Sequence, residues 1–134
     1  MNALFNFEVH TPFRLFYSGQ AQAITIELVD GEVGVYANHS PFSAVTVTGI
    51  LRIREEGGKW RAAFVSGGIL EVKKDKNVLM VDSAEWPEEI DLERALESKR
   101  QAEEDLAAGQ LKFETVRLKA KLRRAEFRLK VLAQ

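Results

Sequence analysis

The chain has 134 residues, no cysteine, and 19 basic against 20 acidic side chains, for a formal net charge of −1. Disulfides, thiol nucleophiles and cysteine-based metal sites are excluded, and the near-neutral total gives no long-range pull toward nucleic acid or an anionic membrane. With 46% hydrophobic and 29% charged residues, the composition is that of a folded protein, and the lack of cysteine fits a reducing compartment.

The stretch up to Phe7 has neither a basic n-region nor an unbroken apolar core, so no signal peptide is expected. No apolar run reaches the roughly 18 residues a membrane helix needs. Leu4–Val9 is β-rich and partly alternating. Ala23–Val29 places Ile24, Ile26 and Leu28 on one face and Thr25 and Glu27 on the other, the period of a half-buried strand. Val45–Thr48 and Ile50–Arg54 repeat the pattern. Glu55-Glu56-Gly57-Gly58-Lys59 predicts a hairpin turn, because glycines accept the positive φ a tight reversal demands. Trp60–Val65, Ile69–Val72 and Asn77–Val81 continue the series, with Lys73-Lys74-Asp75-Lys76 as a charged turn. Many short strands joined by polar or glycine-containing turns point to a sandwich or barrel.

The pattern changes at Trp86-Pro87-Glu88-Glu89-Ile90-Asp91, which reads as a helix start, with proline tolerated in the first turn and acids at the positive end of the dipole. Ile90–Ala107 consists almost wholly of strong helix formers. Ala108-Gly109-Gln110 breaks it, with Gly109 as a left-handed stop. A second helix follows over about Leu111–Leu132, and Leu111, Leu118, Leu122, Ala125, Leu129 and Leu132 form a heptad-like seam. Residues 88–110 carry eight acids and three bases, whereas 111–134 carry two acids and eight bases. That contrast favours antiparallel pairing, and the thin seam predicts docking on the β body or a partner, with more than one docked position open. The expected architecture is therefore an all-β N-terminal sandwich (1–86) plus an α-helical C-terminal hairpin of two antiparallel helices (87–134).

No catalytic chemistry is expected. His10 and His39 stand in no nucleophile motif, no metal-ligand spacing occurs, and Gly57-Gly58-Lys59 lacks the spacing of a phosphate loop. The bases of the second helix lie all round it and match no nucleic-acid motif, so a solvated face or an acidic protein partner is favoured over nucleic acid.

Several stretches together resemble one family. Ser66-Gly67-Gly68-Ile69-Leu70-Glu71-Val72 is similar to the Ser-Gly-Gly signature of the epsilon subunit of bacterial F-type ATP synthases, and Asp30–Pro41 resembles that family's Gly-Glu-x-Gly-x-x-Pro-Gly-His-x-Pro segment. Thr11-Pro12 with Phe16-Tyr17-Ser18-Gly19 resembles its opening, and Ile90-Asp91-Leu92-Glu93-Arg94-Ala95 its hairpin-start motif. Ala37-Asn38 replaces the usual Pro-Gly, a change the turn tolerates because asparagine accepts positive φ.

The resemblance implies a non-catalytic central-stalk subunit that couples ion flow to ATP synthesis and restrains ATP hydrolysis through its hairpin. Its implied partners are the gamma subunit, the c ring and, with the hairpin extended, the alpha/beta catalytic head. Its implied location is the cytoplasmic face of the membrane, held there only through the complex. Gly31, Glu32 and His39 match the region that faces the c ring, although Gly31 and Gly34 are equally readable as turn glycines. Arg117, Lys119, Lys121, Arg123, Arg124, Arg128 and Lys130 are expected to meet acidic surface on the head. The resemblance also implies regulatory ATP, with no required cofactor, at Glu85, Asp91, Arg94, Ala95, Arg124 and Arg128. Gln101 stands where strong binders carry a further arginine. The alternative reading is a free-standing ATP-sensing hairpin module.

Overall fold

The computed structural model describes residues 3–109 and 112–134. Nine strands come first: β1 (Phe5–His10), β2 (Leu15–Leu28), β3 (Gly31–Tyr36), β4 (Phe42–Thr46), β5 (Gly49–Glu55), β6 (Trp60–Val65), β7 (Gly68–Val72), β8 (Lys76–Val81) and β9 (Ala84–Glu85). A 3-10 turn, Pro87–Glu89, leads to helices α1 (Leu92–Ala107) and α2 (Lys112–Leu132), which form a hairpin. The expected sandwich plus hairpin is what the chain adopts.

The 14-residue β2 serves both layers. Its first half pairs with β1, which lies parallel to β8, and β8 continues through β7 to β4. A register slip between Ala21 and Ala23 bends the strand, as bulges do, and its second half pairs with β3 on one edge and β5 on the other. β5 leads on to β6 and β9. Between the layers lie Phe7, Val9, Leu70 and Leu79 from one sheet and Ile24, Ile26, Val35, Leu51, Ile53 and Val65 from the other. Their alternation along each strand is the cause of the fold: shifting a strand by one residue would turn this set out to water.

The Ser-Gly-Gly motif is architectural. Ser66 Oγ accepts from the Ser83 amide at 2.9 Å, and the Gly68 amide donates to Thr46 Oγ1 at 2.9 Å. Gly68 sits so close to β8 that an added Cβ would overlap the Met80 carbonyl. In the Glu55–Lys59 turn Gly58 alone of the two glycines has positive φ, 87°. Asn38 has φ 64°, the left-handed conformation asparagine tolerates at this turn.

Several elements differ from the sequence reading. Gly31 (φ 123°) does close the β2–β3 turn, but Gly34 lies inside β3, opposite Thr25. Trp86–Asp91 is not a continuous helix start. Proline there begins a separate 3-10 turn, and α1 starts only after Asp91, whose side chain accepts from the Arg94 amide at 3.1 Å as its N-cap. Gly109 (φ 74°) ends the turn after α1 as expected, while Gln110 and Leu111 lie outside the described residues.

The expected seam is only half of what α2 does. Leu118 and Ala125 are buried in the hairpin with Ala95 and Ala102 of α1, small residues that let the helices approach closely. Leu122, Leu129 and Leu132 are half-buried. A second apolar face, Phe127 and Val131, packs on Ile50 and Phe64 on the outer side of β5 and β6. Two faces covered explains why Gly49-Ile50-Leu51 and Ala63-Phe64-Val65 are continuously buried rather than alternating. The charge contrast does not act through ion pairs between the helices, and none joins α1 to α2 among the described residues; Arg100 instead bridges Glu97 and Glu104 within α1. Among the described residues no helix is long and apolar enough to cross a membrane.

Candidate functional site

Where the base of the hairpin meets β9, the structure forms a cleft of about 330 Å³. Glu85, Asp91, Arg94, Ala95, Arg124 and Arg128, the six residues singled out in the sequence, all line it. They arrive there for separate reasons. Glu85 is placed by the β6–β9 pairing opposite Phe64. Asp91 caps α1 and Arg94 and Ala95 occupy its first turn, with Ala95 buried in the helix seam. Arg124 and Arg128 lie one turn apart on α2.

Electrostatically the cleft has two ends. At the sandwich end, Arg128 Nε donates to Glu85 Oε1 at 2.8 Å and Nη2 donates to Oε2 at 3.4 Å. The Arg128 guanidinium also lies 4.5 Å from the centre of the Phe64 ring. Glu89, nearby, is held by Arg14 at 2.9 Å and caps the Trp86 amide at 2.9 Å. The Arg14 hydrogen bond, outweighing partial burial, holds the Glu89 carboxyl below the usual carboxylate range. Away from the sandwich, Arg94, Lys121 and Arg124 have no carboxylate partner among the described residues. Free guanidinium and ammonium groups beside a helix N-terminus suit an anionic group, phosphate above all.

Sequence reasoning missed Ser98, Glu89, Ile90 and Lys121 as lining residues. For Lys121 a signal existed: 121, 124 and 128 have the i, i+3, i+7 spacing of one helical face.

The other candidate residues are dispersed. Gly31 and Glu32 open β3, an edge strand that among the described residues pairs only with β2, and the Glu32 carboxylate lies 3.6 Å from Arg52. His39 is exposed beyond the far end of β3, its Nδ1 2.8 Å from the Ser40 carbonyl and its ring 5.0 Å from that of Phe42. The three share one edge but not one site. On the outer face of the other sheet, Val45, Ile69 and Met80 are neighbours by register and each is exposed, forming an apolar stripe.

Both modules match models of known families. Residues 4–87 match the β-sandwich domain of the ATP synthase delta/epsilon chain, and residues 88–133 match its long α-helix domain. The chain is 38% identical to the ATP synthase epsilon chain of Caldanaerobacter subterraneus subsp. tengcongensis, over 100% of this chain and 97% of the relative. It is 42% identical to that of Caldicellulosiruptor saccharolyticus, over 98% and 96% of the two chains. In fold it resembles a chain in the cryo-EM structure of Euglena gracilis mitochondrial ATP synthase (OSCP/F1/c-ring), with TM-score 0.85, 24% identity, and coverage of 100% of this chain and 84% of that one. A chain of the Tetrahymena thermophila mitochondrial ATP synthase central stalk and c-ring follows with TM-score 0.63 and 14% identity, covering 98% of each. With its sandwich and its helices matched in order and its length shared by such relatives, the chain belongs to the ATP synthase delta/epsilon chain family.

Proposed function

We propose that the protein is a non-catalytic central-stalk rotor subunit of an F-type ATP synthase, which couples ion flow to ATP synthesis and restrains ATP hydrolysis through its hairpin. The observation that carries this reading is the hairpin's attachment: a small apolar patch, Ile50, Phe64 and Val131, holds a strongly basic helix against the sandwich. A patch of that size can be released, and the released helix presents Arg117, Lys119 and Arg124 to acidic surface on the catalytic head, an attraction that salt would weaken. The Val45–Ile69–Met80 stripe fits an apolar face of the gamma subunit, and the edge carrying Gly31, Glu32 and His39 fits the c ring. Membrane attachment, at the cytoplasmic face, then runs through the complex. The decisive experiment deletes residues 88–134 and measures ATP hydrolysis by the reassembled head. Hydrolysis should rise, and an unchanged rate would remove the inhibitory role.

A second reading, regulatory ATP bound in the docked hairpin, is favoured by the meeting of Glu85, Asp91, Arg94, Ala95, Arg124 and Arg128 around one cleft. Calorimetry with ATP and Mg²⁺ on the full chain should show binding that Arg124→Ala weakens, and absence of heat would sink it. Co-purification with gamma separates a stalk subunit from a free-standing ATP sensor.

A further inference from the structure

We infer that Lys121 is a further phosphate-binding residue of the cleft, and that it sets the preference for a nucleoside triphosphate over shorter phosphate chains. The inference rests on the nucleotide reading above. Lys121 lines the cleft with Arg124 and Arg128, and the three form one stripe on α2 at i, i+3 and i+7. They are not equivalent. Arg128 is already neutralised by Glu85 through two hydrogen bonds and is stacked on Phe64. Arg124 and Lys121 are half-buried and have no carboxylate partner among the described residues. On the facing helix, Arg94 is likewise free, and Ser98 adds a hydroxyl one turn farther along.

The carboxylates of the cleft are all at the other end. Glu85 is tied to Arg128, Glu89 to Arg14, and Asp91 is the N-cap of α1. The cleft therefore runs from an end at the sandwich where carboxylates and arginines compensate each other to a cationic end partway up the hairpin. The stripe from Arg128 to Lys121 covers roughly 10 Å along the helix axis, at about 1.5 Å per residue. A ligand with a neutral, donor-bearing end and a chain of phosphates matches that polarity: the donors face Glu85, and successive phosphates climb past Arg94 and Arg124. Lys121 and Ser98 stand last in the row, where only the terminal phosphate of the longest chain arrives. An ammonium with three rotatable donors is suited to that point contact.

The test is calorimetry on the full chain in magnesium buffer with ATP, ADP and AMP, comparing wild type, Lys121→Gln, Lys121→Arg and Lys99→Gln. Lys99 lies on α1 outside the cleft lining and controls for loss of one positive charge. Lys121→Gln should weaken ATP binding roughly ten-fold, the size of one lost charge-assisted contact, while leaving AMP binding unchanged. Lys121→Arg should retain most of the preference. A purely structural defect would lower the apparent affinity for all three ligands together, so the ATP-to-AMP ratio reads the contact itself. An unchanged ratio in Lys121→Gln overturns the role of Lys121 while the nucleotide reading stands. No binding of any nucleotide to the wild-type chain overturns both.

Discussion

A methyl group at Gly68 has nowhere to go, because the Met80 carbonyl on the paired strand already occupies its place and backbone cannot rotate aside as a side chain can. Gly57, by contrast, has nothing within 4 Å of such a group. Gly68→Ala should therefore destabilise the sandwich by about 1–3 kcal/mol or more, and Gly57→Ala should leave it within about 0.5 kcal/mol. Urea unfolding followed by far-ultraviolet circular dichroism measures both, and equal midpoints for the two variants would contradict the steric account. Phe64 differs in kind. It is fully buried, yet on the outer face of β6, where its neighbours are Val131 and the Arg128 guanidinium rather than the main core. Truncation of a buried Phe typically costs about 3–5 kcal/mol. Here that loss should fall on hairpin docking. Phe64→Ala is expected to speed amide exchange in α2 while β1, β2 and β8 remain protected, and uniform loss across both modules would be the contrary result.

Among the elements, the connection between sandwich and hairpin is the most informative. Trp86 stacks on Phe16 with ring centres 4.4 Å apart and has the Arg61 guanidinium 3.8 Å from its ring centre. Three residues on, Glu89 is tied to Arg14 of the β1–β2 connection. The 3-10 turn is thus fastened to the sandwich, and the extended residues Ile90 and Asp91 are the first that can swing. Because the Glu89 carboxyl is held below its ordinary value, its contribution is complete above the unfolded pKa of about 4.3 and is lost as pH falls through the lower folded value. Tryptophan fluorescence in a Trp60→Phe background should report loosening around Trp86 only in that acid range. Glu89→Gln should show the loosened signal already at neutral pH; a pH profile identical to the parent would argue against the latch. Much of this architecture is readable in the sequence, since period-two alternation in Ile24–Leu28 and the helix formers of α1 need no partner to be recognised. β3 was not readable, because its glycines and Glu32 have no strand preference and only Val35 is fully buried. The cleft divides the same way. Asp91 and Arg94 announce a helix start locally, whereas the part of Lys121 depends on which face of α2 turns to α1, and that is decided by docking.

For the whole molecule, the unequal size of the two apolar clusters sets the order in which it comes apart. Among the described residues, seventeen buried ones hold the sandwich, and three, Ile50, Phe64 and Val131, centre the contact with the hairpin. Each such anchor is worth about 1.5–3 kcal/mol, and the half-buried Arg128–Glu85 pair adds a charge-assisted contact across the same junction, whereas the exposed hydrogen bonds from Arg123 to the Thr48 carbonyl and from Arg52 to Gln134 add little. Together the three contribute about 4.5–9 kcal/mol before the entropy of ordering the hairpin is subtracted, and a ligand bound only to the docked state at 100 times its dissociation constant adds about 2.7 kcal/mol to what remains, roughly a hundred-fold in the docked population. A body held so unequally should not unfold in one step. Native-state hydrogen exchange across a urea series should find α1 and α2 opening together in a unit of lower free energy than β1, β2 and β8, with a smaller denaturant dependence. Salt should lower the hairpin unit only modestly, because in an otherwise apolar contact the half-buried Arg128–Glu85 pair is the part open to screening; any ligand bound between hairpin and sandwich should raise the lower unit alone. If the helices and the core strands exchange with one common free energy and slope, the hairpin is an integral part of a single cooperative domain, and a docked element poised for release is ruled out.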